Sequence, residues 1–253
     1  MPDLNSVFVS TGSLPSPDDV RALVEIAHST FASEVGGRVA DYIPALATAN
    51  AAHFGICVAG ANGQRFAVGE ADHPFSIQSV SKPFVFALVC DALGPDEAER
   101  RLGVDATGQS FNSVLAVELR PDHTTNPMVN SGAIATTSLV AGDSAEERWG
   151  RVLDGLSRFA GRRLELDEHV YLSETATNDR NEGIAHLLRG YSRIYCDPDE
   201  ATDVYTRQCS LLVTARDLAT MGATLATGGV NPVTGERVVS ADTCRRVLAV
   251  MAT

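Results

Sequence analysis

Residues 83–90, Pro-Phe-Val-Phe-Ala-Leu-Val-Cys, are apolar without a break and open on a proline. A proline inside a helix costs a hydrogen bond, whereas the first turn has N–H groups with no partner to lose. The run therefore reads as a helix that starts at about Ser79, with Pro83 at its edge and residues 84–90 as its buried body. A helix that is apolar on every side belongs in a core, so the rest of the chain must wrap it. With 253 residues, 44% of them hydrophobic, the chain can do so as one domain, residues 1–253.

The flanking patterns give that domain its class. Ser16-Pro17 can cap and open a helix, continued by Val20, Leu23, Val24, Ala27 and Phe31 at helical spacing. Residues 54–70 read as a hairpin turning around Asn62-Gly63. From Asp96 to Leu188 the pattern is mostly helical, with loops around 120–122 and 172–181. Residues 212–229 form a further helical stretch stopped by Gly228-Gly229, and Ser240 caps a last one. Strands near the start and a helical middle predict an α+β fold, a helical lobe set against an antiparallel sheet.

Charge and cysteine use exclude several functions. A net charge of −12 argues against nucleic acid or an anionic membrane as partner. The long uncharged run at residues 123–142 is studded with Thr, Ser and Asn and is no membrane span. Residues 1–16 lack the basic and apolar segments of a signal peptide. Five cysteines without regular spacing read as reduced thiols of a cytoplasmic protein, and the six histidines show no ligand spacing, so no metal is expected.

Of the 20 basic residues only Lys82 is a lysine. Arginine stays charged in proteins, whereas a lysine can shed its proton near neutral pH when its surroundings lower its pKa. Ser79 stands three residues earlier, on the same helix face. A serine is a weak nucleophile until a neighbouring base takes its proton, and a desolvated lysine amine can be that base. The helix start adds free N–H groups for an oxyanion. Without catalysis, Ser79 would merely cap the helix and Lys82 would be a surface lysine. Ser-x-x-Lys is also the nucleophile motif of β-lactamases and penicillin-binding proteins, but their Lys-[Ser/Thr]-Gly signature cannot occur in a chain without a second lysine.

Five stretches in order, DYIPALA (41–47), FSIQSVSK (75–82), NPMVNSGAI (126–134), SETATNDRN (173–181) and residues 204–229, resemble the serine-dependent glutaminases. The resemblance runs over nearly the whole chain after about residue 20. It implies a fold of the β-lactamase and penicillin-binding-protein type and hydrolysis of L-glutamine to glutamate and ammonia through an acyl-serine. No cofactor is implied, and the chain is expected to be a homo-oligomer, dimer or tetramer. It assigns Ser79 as nucleophile and Lys82 as proton acceptor, and Tyr42, Gln78, Ser79, Asn130, Glu174, Asn181 and Tyr205 as glutamine-binding positions. The residue types suit a zwitterion with a carboxamide tail: Glu174 can accept from the α-ammonium, and the asparagines and tyrosines can meet the amide and carboxylate. Without the resemblance, the tyrosines read as core-edge residues, the asparagines as turn or cap residues, and Glu174 as solvated.

Two departures stand out. Ser131 occupies a position where the family usually has alanine. The family's closing blocks, which bring another tyrosine and an oxyanion-hole N–H, have no counterpart before Thr253. The expectation is that the chain is incomplete at its C-terminal side, lacks strands of the sheet and is by itself a poor glutaminase. The alternatives are a penicillin-recognising hydrolase of the same fold and an amino-acid-binding relic without catalysis.

Overall fold

The computed structural model describes residues 15–253, so the leader reading of residues 1–16 falls almost wholly outside the described residues. Helix α1, Pro17–Phe31, opens on a capping box in which Ser16 and Asp19 exchange hydrogen bonds. β1 (Gly55–Ala59) and β2 (Arg65–Gly69) form the hairpin, in antiparallel register from Gly55↔Gly69 to Ala59↔Arg65. Gly63 takes a positive φ of 79° at the turn, a conformation favourable to glycine.

β3 (Phe75–Ser76) leads into a 3-10 turn, Gln78–Ser81, and only then into α2, Lys82–Leu93. The helix thus starts three residues later than the pattern predicts, with Pro83 in its first turn. α3 (Pro95–Leu102) follows, and then α4 (Asn130–Ser138) and α5 (Ala145–Ala160). β4 (Glu165–Leu166), α6 (Glu168–Thr175), α7 (Asp179–Gly190) and α8 (Pro198–Cys209) come next. β5 (Leu211–Val213), α9 (Ala215–Ala226) and α10 (Ala241–Met251) complete the described chain.

Three expectations along the chain need correction. Residues 103–129 are almost entirely loop, held by bonds such as Thr125 N–H to Leu102 O at 2.8 Å and His123 Nδ1 to Val117 O at 2.9 Å. Residues 172–181 are mostly helical, with only 176–178 breaking α6 from α7. Leu212 and Val213 belong to β5, not to the helix after them, because β5 is the centre of a small sheet ordered β3-β5-β4.

The core is the helical lobe around α2. Phe84, Val85, Phe86, Ala87, Val89 and Cys90 are all buried, and the Phe84 ring lies 5.2 Å from that of Phe159 on α5. α9 and α1 pack on the hairpin. The arrangement is α+β, a helical lobe with small antiparallel sheets. No described helix is long and apolar enough to cross a membrane.

Candidate active site

The stretch that delivers Ser79 is conformationally special. Gln78, immediately before it, has a φ of +51°, uncommon for a residue with a Cβ. Ile77 is locked into the core, its N–H bonded to Leu211 O at 2.8 Å. The chain kinks between these fixed points, and Ser79 emerges exposed at the mouth of a cavity of about 290 Å³. The side chain of Ser79 does not cap the helix.

Lys82 lies one turn on and is 3% exposed. Its Nζ donates to Asn130 Oδ1 at 2.8 Å and to Met128 O at 3.4 Å, and the Phe111 ring centroid is 5.7 Å away. No carboxylate pairs with it among the described residues. Burial with only neutral acceptors disfavours the ammonium, and the Lys82 pKa falls from 10.5 to about 8.

The other predicted residues converge on the same cavity. Tyr42, Gln78, Asn130, Glu174, Asn181 and Tyr205 all line it. Asn130 opens α4 and is buried; Tyr205, on α8, is buried and donates to Asn130 Oδ1 at 3.4 Å. Tyr42 stands at the rim, 63% exposed. Glu174 is not solvated as its type alone would have it: it sits on α6, 8% exposed, and its Oε2 has no hydrogen-bond partner among the described residues. Burial raises its pKa from 4.5 to about 7, with the Gln78 side chain pulling partly the other way.

Of the lining residues that the sequence did not single out, three bear on the chemistry. Asn178 bonds Asn181, the two standing at i and i+3 in TNDRN, a spacing that could have flagged it. Arg180 adds a cation, bonded to Asn112 O at 3.4 Å. Cys209 is buried in the wall of the same cavity, and burial pushes its thiol up to about 12, so it is protonated and a poor rival nucleophile. A larger groove of about 510 Å³, lined by His53, Glu70 and His73, lies away from Ser79 and Lys82. No metal-binding cluster occurs among the described residues.

Chemically, the cavity presents an exposed hydroxyl and a buried carboxylate oxygen without a partner among the described residues, and Asn130 in its wall holds the buried Lys82 amine, which can be neutral. Comparison with known proteins agrees with that composition. The glutaminase family model matches residues 37–253. Glutaminase 2 of Yersinia pestis is 58% identical over 246 residues, covering 97% of this chain and 72% of that protein. The glutaminase of Brucella suis biovar 1 is 51% identical over 236 residues, covering 93% of this chain and 74% of its own. Among solved structures, the probable glutaminase ybaS superposes with a TM-score of 0.91 at 42% identity, covering 94% of this chain and 77% of that one. The probable glutaminase from Bacillus subtilis, complexed with 6-diazo-5-oxo-L-norleucine, gives a TM-score of 0.79 at 28% identity, over 95% of this chain and 74% of that one. The chain belongs to the glutaminase family.

Proposed function

We propose that this protein hydrolyses L-glutamine to glutamate and ammonia through an acyl-serine. The observation that carries the reading is the buried Oε2 of Glu174, unpartnered among the described residues and in one cavity with Ser79. A buried carboxylate without a partner is costly, and an α-ammonium is the group that would relieve it. Asn181, Tyr42 and Tyr205 then supply donors and acceptors for the carboxylate and the carboxamide, with Gln78 and Ser79 contributing backbone groups.

Ser79 Oγ attacks the side-chain amide carbon while its proton passes to Lys82 Nζ. The resulting ammonium gives that proton to the leaving nitrogen, and ammonia departs as the C–N bond breaks. Water then attacks the ester carbonyl, Lys82 takes its proton and returns it to Ser79, and glutamate is released. Asn130 Oδ1 holds the amine throughout.

The test is mass spectrometry of the protein treated with an electrophilic glutamine analogue, beside ammonia release from L-glutamine. An adduct on Ser79, lost in Ser79→Ala while glutamine affinity stays within about tenfold, is the expected result. An adduct on a cysteine would refute the assignment. A fluorescent penicillin should leave Ser79 unlabelled, and labelling would favour the penicillin-directed alternative.

The same reading has the chain acting as a homo-oligomer, dimer or tetramer, in the cytoplasm. Two features support it: all five cysteines are free thiols, and β1 pairs only with β2 among the described residues, leaving one edge open.

A further inference from the structure

Asn178 occupies the N-cap position of α7, yet its side chain does not cap that helix. It is buried, and its Nδ2 donates to Thr206 Oγ1 on α8 at 2.9 Å. Its Oδ1 accepts from Asn181 Nδ2 at 2.7 Å. Asn181 Oδ1 accepts in turn from Asn130 Nδ2 at 3.0 Å, and Asn130 Oδ1 accepts from Lys82 Nζ at 2.8 Å. Three amides thus stand in series between Thr206 and the lysine.

The direction of the series is set at its far end. Thr206 Oγ1 donates to Thr202 O at 2.9 Å, and a backbone carbonyl can only accept. The hydroxyl proton is committed there, so Thr206 offers Asn178 a lone pair, and Asn178 must face it with its NH₂. Each amide that follows is constrained in the same sense. The two ends of an asparagine amide are close in shape and opposite in polarity, so shape alone would not orient them.

We propose that Asn178 and Thr206 are positioning residues of the active site: they orient the Asn181 and Asn130 amides so that Asn130 turns its oxygen, and not its NH₂, to Lys82. The proposal rests on the glutaminase reaction given above. With the series reversed, an NH₂ group would face the amine as it becomes an ammonium, raising the cost of taking the serine proton. The other groups facing Lys82 are Met128 O, the Phe111 ring and Cys209 of α8; Tyr205 of α8 shares the acceptor Asn130 Oδ1 with it, and Glu174 of α6 acts on Tyr205 and Cys209. Burial keeps the Tyr205 and Cys209 protons on well above neutral pH, so of these neighbours only Glu174 titrates near 7.

The experiment is ammonia release against pH at saturating glutamine, with folding checked by circular dichroism, for the full chain and two variants. Thr206→Ser keeps the hydroxyl and should stay within about twofold of the unsubstituted protein. Thr206→Val keeps the volume but frees Asn178 to turn over. It should lower kcat about tenfold or more through a misplaced base, and move the acid limb of the profile to lower pH, because the ammonium form of Lys82 loses its acceptor. If the valine variant does not fold, Asn178→Ala breaks the next link and should give the same loss and shift. A folded valine variant with unchanged kcat and unchanged limb overturns the proposal. Equal losses in the serine and valine variants with the limb unmoved also overturn it, as the mark of packing alone. No ammonia from the unsubstituted protein would instead remove the reaction itself, and the proposal with it.

Discussion

Lys82 is held where a charge is expensive, and its pKa near 8 sets the pH at which it can act as a base. Its neutral form grows as pH rises through about 8, so kcat at saturating glutamine should climb across that range. Glu174, half protonated at about pH 7 in the empty site, is fully a carboxylate only above it. KM should therefore fall as pH rises through 7. Initial rates from pH 6 to 10 read both limbs. Lys82→Arg keeps the charge but cannot give it up, and should cost about 10²–10⁴ in kcat in a folded protein; activity within a few-fold would dismiss Lys82 as the base. Glu174→Gln should raise KM by one to two decades, the worth of a charge-assisted hydrogen bond. It should also stabilise the fold. The folded pKa of about 7 stands above the ordinary 4.5, so the protonated form favours folding. That stability is complete below 4.5 and lost as pH rises through 7, a difference of about 3 kcal/mol. Urea midpoints should thus show a larger gain for the variant at pH 8 than at pH 5. Lysine uniqueness made Lys82 legible in the sequence. The burial of Glu174 was not, because it depends on Gln78 and Tyr205, which are distant in the chain.

At the scale of elements, α4 matters for what it is pressed against. A Cβ at Gly132 would stand 2.0 Å from Asn126 O, so the helix can lie on the 126–129 segment only without a side chain there. That segment supplies Met128 O to Lys82, and Asn126 anchors it through Nδ2 to Val104 O at 2.9 Å. Gly132→Ala should shift it, lowering stability by about 1–3 kcal/mol or more and reducing kcat with it. Gly150 on α5 has open space around its Cβ position, so Gly150→Ala should stabilise by about 0.5–1 kcal/mol and leave turnover alone. Thermal melts beside ammonia assays separate the two glycines. Capping and periodicity predicted α1, α2 and the hairpin because each is specified by neighbours in sequence. β3, β4 and β5 escaped because strands of two or three residues carry no alternation, and their pairing, Phe75↔Val213 and Glu165↔Leu212, is entirely long-range. Apart from the loop expected around 120–122, residues 103–129 read as helix in the sequence, because their hydrogen bonds run from Asn126 and His123 side chains to the backbone, which no hydrophobic period reveals.

At the scale of the whole molecule, the hairpin is the part least provided for by the described chain. α1 and α9 pack on it, but β1 has a neighbour on one edge only, and the 510 Å³ groove reaches Gly55. An open edge with apolar side chains is a site for pairing with another chain. Val58 is 42% exposed on that strand, so a charge there would not enter the core. A net charge of −12 opposes any association of identical chains, and salt screens that repulsion, the Debye length falling from about 30 Å at 0.01 M to about 3 Å at 1 M. Association through the β1 edge should therefore strengthen with salt. Val58→Lys should weaken it at every salt concentration, since lysine on an edge strand resists pairing. Sedimentation velocity of both proteins across that range reads the outcome. Equal association by Val58→Lys and the unsubstituted chain would move the contact away from β1, and association that weakens with salt would make it an ion-paired interface rather than a strand edge.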